Sequence, residues 1–368
     1  MSCNCEPTPL SWAKMVQARS LLAMLRGALI VAAMGLAFAP GAARAQAGEL
    51  NIYSSRHYDA DKEIVERFTR ATGIRVNVVE GDVGPLLQRL RSEGRNSPAD
   101  LLITVDAGNL WRAQEADLLQ PIRSAVLEAT IPAALREPAG HWFALSQRAR
   151  VIMYARDRVR PEELSTYEAL ADPKFKGRIV VRSSSHIYNQ SLIASLIATA
   201  GIEKTELWAR GLVANFARPP RGGDTDQILA LAAGEADIAI ANTYYLGRLL
   251  ASTKQEERTI AAKIGVFFPN QDAPDQNGRG THVNISGAGV TRFAPHREQA
   301  IRFLEFLVSP EIQVLFAEGN FEYPVRPGIA TSAVIDLWGA FKADTPAIVG
   351  LGRNNAEAVR IADRAGWR

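Results

Sequence analysis

Four of the eight tyrosines in this sequence follow segments that read as strands of an α/β fold. Tyr58 follows a strand predicted over 49–53, Tyr188 follows one over 178–182, and the adjacent pair Tyr244 and Tyr245 follows one over 236–241. In open α/β sheets, ligands bind just beyond the carboxyl ends of the strands. We therefore predict that these phenols meet in one binding site, each in the loop after its strand.

A cluster of phenols favours certain ligands. A phenol has a pKa of about 10, so neutral tyrosines bind anions weakly and stack well on sugars. A small, highly charged cation displaces phenolic protons, because metal ligands must be deprotonated to bind. Phenolate is a hard oxygen ligand that suits a trivalent ion such as Fe³⁺. Four phenolates around Fe³⁺ leave a charge of about −1, which Arg56 or Arg148 can offset, and neutral His57 adds a nitrogen without charge.

Each of these residues also has an interpretation without a ligand. Tyr58 can be an aromatic residue at a helix start, Tyr188 can pack on the helix that follows it, and the Tyr244–Tyr245 pair can divide between core and solvent. A lone histidine such as His57 is usually a surface or capping residue, and His186 reads as a loop residue. The remaining tyrosines are assigned to the core, with Tyr53 beside the ligands or in the core and with Tyr154, Tyr167 and Tyr323 in packing. The coincidence of tyrosines at equivalent strand ends favours a site.

The elements that position these residues alternate between strands and helices. Besides the three strands already named, strands are predicted over 74–78 and 101–105, and helices over 61–72, 85–91, 189–200, 224–233 and 246–252. This alternation predicts an α/β fold with parallel sheets. Two further segments, 146–154 and 282–290, are predicted to cross between two lobes, which would make a hinged clamshell with a ligand cleft between the lobes.

The first 45 residues have the order of a secretory signal peptide. Basic residues precede the short apolar stretch 28–38, and the small-x-small site Ala43-Arg44-Ala45 follows it. The apolar stretch is shorter than the roughly 20 residues that span a bilayer, which disfavours an uncleaved anchor. We expect cleavage after Ala45 and a periplasmic protein, with Met1 or Met15 as the start.

The leader changes what the composition implies. Both cysteines, Cys3 and Cys5, lie in it, so the exported chain uses neither disulfides nor thiolate ligands. The remaining 323 residues are long enough for two domains with a proper core. Without the leader's four basic residues and one acid, the totals of 42 and 39 become 38 of each sign, which excludes a general basic surface for nucleic acid or anionic lipid.

Two motifs resemble those of a known family. The sequences YSSRHY at 53–58 and ANTYYLG at 241–247 are similar to motifs of the ferric-iron-binding proteins of bacterial ABC importers. Segments 104–110, 145–154, 183–190 and 320–325 also resemble that family, so the similarity covers nearly all of the exported chain. It is strongest to the cyanobacterial and Campylobacter-like branch, which lacks a bound synergistic anion.

The resemblance implies a type II periplasmic binding protein, with one lobe formed by 46–148 and 281–325 and the other by 149–280 and 326–368. It implies Fe³⁺ as cargo, held by His57 and Tyr58 from one lobe and by Tyr188, Tyr244 and Tyr245 from the other. Arg148 would balance charge or hold an anion such as carbonate, with Tyr53 behind the ligands. The implied partners are an inner-membrane ABC permease and its ATPase, and the implied protein is a monomer without enzymatic activity.

Several alternatives remain open from the sequence. The same fold can serve a small organic or anionic solute, or Fe²⁺, since a fold does not determine its ligand. A receptor partner for a membrane kinase would use the same site. An exported metalloenzyme is disfavoured, because no Gly-x-Ser-x-Gly motif is present and no catalytic metal spacing occurs among the histidines, which are His57, His141, His186, His282 and His296.

Overall fold

The computed structural model describes Met1 and residues 48–56, 58–271, 278–345 and 348–368. Apart from Met1, the predicted signal peptide, with its two cysteines, lies outside the described residues, and so does His57. Residues 48–368 group together as one unit. Within the described part, no helix has the length and apolar character needed to cross a bilayer.

The strands are β1 (Glu49–Ser54), β2 (Arg75–Glu80), β3 (Leu101–Val105), β4 (Phe143–Ala155), β5 (Ile179–Val180), β6 (Ile238–Asn242), β7 (Ile264–Phe267), β8 (Thr281–Val290), β9 (Tyr323–Pro324) and β10 (Ala343–Asp344). The α-helices are α1 (Asp59–Thr72), α2 (Val83–Glu93), α3 (Ala107–Glu115), α4 (Ala125–Thr130), α5 (Ile187–Ala200), α6 (Ile202–Ala214), α7 (Asp224–Ala232), α8 (Thr243–Leu250), α9 (Gln255–Ala262), α10 (Arg297–Leu307), α11 (Pro310–Asn320), α12 (Ala333–Asp336) and α13 (Asn355–Ala365).

The strands form a mixed sheet with the order β2-β1-β3-β8-β4-β6-β5. Within it β1 pairs in parallel with β2 and β3, and β5 pairs in parallel with β6. The two long strands β4 and β8 run antiparallel to each other. On its other side, β4 is antiparallel to β6, and β8 is antiparallel to β3. The predicted parallel pairing therefore forms within each half, but the whole sheet is mixed, because the segments predicted to cross are themselves strands of opposite direction.

Strand β4 changes partner partway along its length. Residues up to Ala149 pair with β8, and residues from Arg150 onward pair with β6 and β7. One strand thus belongs to two halves of the sheet, one containing β1–β3 and the other containing β5–β7. This change of partner falls within 146–154, the segment predicted to cross between two lobes.

Most predicted elements form, with differences that have physical causes. β3 is a continuous apolar strand and is almost entirely buried, as predicted. β2 forms but is not half-buried, since it is the edge strand and Val78 is 41% exposed. The predicted strand over 178–182 is reduced to two residues, because the Arg182 carbonyl accepts hydrogen bonds from side chains of Asn189 and Trp367.

Candidate metal centre

The four predicted tyrosines lie at the starts of helices. Tyr58 is the N-cap of α1, Tyr188 is the second residue of α5, and Tyr244 and Tyr245 lie in the first turn of α8. The prediction that they lie in loops is wrong for Tyr188, Tyr244 and Tyr245, because their helices begin earlier than the sequence pattern suggested. The placement matters chemically, since a helix N-terminus carries partial positive charge and stabilises anions such as phenolate.

These tyrosines converge. The Tyr188 and Tyr244 hydroxyl oxygens are 3.0 Å apart. The Tyr244 ring centroid is 4.3 Å from that of Tyr245 and 6.4 Å from that of Tyr58. All four side chains line a cavity of about 270 Å³, together with residues that include Ser55, Arg56, Asn109, His186 and Arg248. The structure therefore brings together every tyrosine that the sequence predicted for the site.

Burial keeps several of these phenols protonated while no cation is bound. It raises the pKa of Tyr58, and the nearby Glu322 carboxylate raises it further. Burial also raises the pKa of Tyr188, and it raises the pKa of Tyr244 well above the usual range. A cation that binds here must displace these protons, so only an ion that polarises phenols strongly suits the cavity.

Arginine side chains surround the phenols. The Arg56 guanidinium carbon lies 4.5 Å from the Tyr58 ring centroid, and that of Arg248 lies 4.6 Å from Tyr58 and 4.9 Å from Tyr244. Arg148 is not among the lining residues and lies 5.4 Å from the Tyr188 ring. These cations lower the electrostatic cost of gathering several phenolates in one place.

Arg148 is almost entirely buried at 1% exposure. Its Nη1 donates to Ser286 Oγ at 3.1 Å, whereas Nε and Nη2 have no hydrogen-bond partner among the described residues. Burial lowers the pKa of Arg148, but Tyr188, Tyr244, Glu322 and Tyr58 together raise it by more, so the net shift is upward. The guanidinium therefore stays charged beside the phenols.

Glu322 holds these cations in place, although no sequence pattern indicates it. Its carboxylate is fully buried and accepts hydrogen bonds from Ser146 Oγ at 2.7 Å and from Arg56 Nη1 at 3.3 Å. Arg148 Nη1 lies 3.9 Å away. Arg56 also pairs with Asp61, with Nε 3.0 Å from Oδ2. A lone Glu more than 170 residues from Ser146 gives no sequence signal for such a network.

Asp106 joins three elements behind the tyrosines, and no sequence pattern indicates this role either. It follows β3, adopts φ 85°, and caps α3 by accepting from the Gly108 N–H at 2.8 Å. Its carboxylate also accepts from Ser191 Oγ of α5 at 2.7 Å and from Asn284 Nδ2 of β8 at 2.8 Å. Ser191 is one turn from Tyr188, so this carboxylate orients the helix that carries that ligand candidate.

Trp367 anchors the loop before Tyr188. It is fully buried, its indole N–H donates to the Arg182 carbonyl at 3.0 Å, and its own carbonyl accepts from Ser184 Oγ. Its ring also makes edge contacts with Trp208 and Phe216. The sequence pattern of a single distant tryptophan could not indicate this role.

His186 caps the helix that carries Tyr188. Its Nδ1 accepts a hydrogen bond from the Tyr188 N–H at 3.3 Å, so a proton on the neutral ring belongs on Nε2. Burial, with Arg182 adding to it, lowers the pKa of His186 to about 3. The ring is therefore neutral at physiological pH and lines the cavity as a capping residue, in place of the loop residue predicted.

The other predicted residues lie elsewhere. Tyr53 is buried in the core, one of the two places predicted for it, and its hydroxyl donates to the Glu93 carboxylate at 2.8 Å. Tyr154, Tyr167 and Tyr323 pack in the interior, as predicted. His57 lies outside the described residues. Within the described ranges, no group of three or more His, Cys, Asp or Glu side chains is arranged to hold a metal ion.

The fold and the cleft with its converging phenols define a class of solute receptors. The chain belongs to the bacterial extracellular solute-binding protein family, whose sequence pattern matches residues 63–343. This family membership confirms the type of protein that the two motifs indicated. The relatives of this chain are solute-binding transport proteins and not enzymes.

Individual relatives make the similarity more specific. The chain is 53% identical over 320 residues to Iron uptake protein A1 of Synechocystis, covering 87% of this chain and 88% of that protein. It is 57% identical, with a TM-score of 0.83, to a Trichodesmium FutA structure solved in complex with iron and citrate, covering 87% of this chain and all of that one. The ferric-binding protein of Campylobacter jejuni is 42% identical with a TM-score of 0.82, covering 87% of this chain and all of its own. These similarities confirm the predicted resemblance and the type II periplasmic binding fold.

Proposed function

We propose that this protein binds Fe³⁺ in the periplasm and delivers it to an ABC importer. The observation that carries the proposal is the convergence of four tyrosines, from three separate helix starts, in one cavity. Phenolate is the hard oxygen donor that Fe³⁺ favours, and three of these phenols are buried enough to need a strongly polarising cation. The identities of the relatives, which include proteins named for iron uptake and ferric-iron binding, support the same cargo.

Tyr58, Tyr188, Tyr244 and Tyr245 are the proposed ligands, with His57 as a further ligand from the segment before Tyr58. Four phenolates carry one negative charge more than Fe³⁺ supplies in positive charge. The buried Arg148, held at 3.9 Å from Glu322 and set against Tyr188, is placed to balance that charge from behind the ligand. Arg56 and Arg248, in the cavity wall, are the cations that would hold a carboxylate or carbonate anion on the iron. The Trichodesmium relative was solved with iron and citrate, which supports this role.

The pairing of β4 supports the proposed division into two lobes. One comprises 46–148 and 281–325, and the other 149–280 and 326–368, so that β4 crosses between them where its pairing changes after Ala149. Tyr58 then belongs to the first lobe, and Tyr188, Tyr244 and Tyr245 to the second. Iron would complete its coordination only when the lobes close, and an importer that recognises the closed state would take up only loaded protein. The proposed partners are an inner-membrane permease and its ATPase, and the proposed protein is a monomer exported by a cleaved signal peptide.

A visible absorption titration tests the cargo. The protein, purified from the periplasmic fraction and stripped of iron, is titrated with a weakly chelated ferric salt. We expect a broad visible band from phenolate-to-iron charge transfer that saturates at one iron per chain. A parallel anaerobic titration with Fe²⁺ should give no such band. A folded protein that stays colourless with Fe³⁺ contradicts the proposal and favours an organic solute or a divalent metal.

A further inference from the structure

Gly247 lies one turn after Tyr244 in α8 and lies against Phe321, a residue from a distant part of the chain. A Cβ added at Gly247 would lie 2.8 Å from Phe321 Cβ and 3.0 Å from Phe321 Cγ. Carbon atoms in favourable contact are about 3.5–4.0 Å apart. Phe321 therefore sits directly on the bare backbone of the helix that carries two of the proposed ligands.

Phe321 cannot move aside by changing its rotamer, because the nearest atom is its own Cβ. The residue is the C-cap of α11 with φ 56° and ψ 37°, a left-handed conformation that usually belongs to glycine. The next residue, Glu322, is fixed by its bonds to Ser146 and Arg56. The position of the Phe321 Cβ is thus set by the backbone on both sides.

The contact joins the two proposed lobes beside the tyrosines. After Phe321 the chain forms β9, which pairs with β4 at Ser146 and Gln147, in the half of the sheet that holds β1. The same region positions Tyr58, because Glu322 binds Arg56 and Arg56 lies against the Tyr58 ring. Gly247 belongs to the other half, three residues from Tyr244. The distance between Phe321 and α8 therefore controls the distance between Tyr58 and the tyrosine pair.

We propose that Gly247 and Phe321 are positioning residues that set the closing distance of the iron site. The absent side chain at 247 lets α8 approach Phe321 until Tyr244 and Tyr245 share one ion with Tyr58. A methyl group at 247 would hold α8 about 1 Å further away. Metal–ligand distances tolerate only about 0.2 Å, so this displacement removes a ligand or weakens all of them. This inference rests on the proposed function.

Gly247→Ala is the direct test. Alanine favours a helix interior over glycine, and in the iron-free protein the open lobes would keep the added methyl group clear of Phe321, so the iron-free variant should unfold no earlier than the wild type. Its ferric affinity should nevertheless fall at least tenfold, measured by competition with a chelator, with a weaker charge-transfer band. Gly84→Ala in α2 is the matched control, since a Cβ there meets nothing within 4 Å. That variant should bind iron as the wild type does.

Phe321→Gly provides the rescue. It removes the nearest atoms that the methyl group added at 247 would strike, and it suits the left-handed backbone. The double variant Gly247→Ala/Phe321→Gly should bind iron within about threefold of Phe321→Gly alone, as expected for directly coupled residues. The inference is overturned if Gly247→Ala binds iron as tightly as the wild type. It is also overturned if Phe321→Gly does not rescue the affinity that Gly247→Ala loses. A wild type that gives no band contradicts the proposed function instead.

Discussion

Tyr244 is the proposed ligand whose substitution should have the clearest effect on iron binding. Its side chain is 1% exposed, and its hydroxyl lies 3.0 Å from that of Tyr188. Tyr244→Phe keeps the ring volume and removes only the oxygen, so the core should stay intact. Loss of a residue that merely supports a metal ligand weakens binding about 10–100-fold, and loss of the ligand itself should exceed about 100-fold.

The number of protons released when iron binds predicts a second quantity, the pH dependence of the ferric affinity. The raised pKa values of Tyr58, Tyr188 and Tyr244 keep these phenols protonated in the iron-free protein between about pH 5 and 9. In the iron-bound protein they are deprotonated, so acid opposes binding and ferric affinity rises with pH. Each proton released contributes about a tenfold change in affinity per pH unit. Release of these three phenolic protons therefore predicts a slope of about three decades per pH unit, and Tyr244→Phe should lower the slope by about one.

The assay is competition for Fe³⁺ against a chelator of known pH dependence, at several pH values, with the visible band as the readout. Tyr154→Phe is the control, because Tyr154 is a buried residue of β4 whose ring packs against Gly265. It should retain the band, the affinity and the slope. An unchanged slope in Tyr244→Phe, or an equal loss in Tyr154→Phe, would refute the assignment of Tyr244 as a ligand.

Three further variants test the surroundings of the site. Glu322→Gln should lower the free energy of unfolding of the iron-free protein by about 3–5 kcal/mol in a denaturant titration, because it removes the carboxylate nearest the buried Arg148 and leaves Arg56 paired with Asp61 alone. Tyr53→Phe should cost about 1 kcal/mol by the same measurement and leave iron affinity unchanged, since only a bond to Glu93 is lost; weaker iron binding would contradict its placement. Trp367→Phe should weaken iron binding by removing one of the two side-chain hydrogen bonds to the Arg182 carbonyl. Trp208→Phe, which loses a bond to the Tyr167 carbonyl, should affect stability alone, and equal effects of the two variants on iron binding would contradict the anchoring role.

The sequence predicts the parts of this protein that depend on local pattern. Alternating apolar segments identify β3 and the helices, and the position of Tyr58, Tyr188 and Tyr244 after strands identifies the cleft. The helix starts are less predictable, because the tyrosines themselves occupy the first turns of α5 and α8 and carry no capping signal. The edge position of β2 depends on the order of strands in the sheet. The alternating apolar and polar residues of β2 do not predict that order.

The residues that support the ligands could not be predicted, for a different reason. Glu322, Asp106 and Trp367 act on partners far away in the chain, and each residue type has an ordinary surface or core explanation when it is read alone. The bond between Glu322 and Ser146 spans 176 residues, and that between Trp367 and Arg182 spans 185. Such pairs depend on the path of the backbone in the folded protein. Hydrophobic periodicity and amino-acid composition do not predict that path.

The position of Trp367 also sets an order of events during folding. The loop that presents Tyr188 is held at Arg182 and Ser184 by a residue that is synthesised 183 positions after Ser184. Until that tryptophan is available, the preceding strands can pair while the Tyr188 loop lacks this anchor. A chain made from its N-terminus would therefore complete the proposed iron site only late in folding.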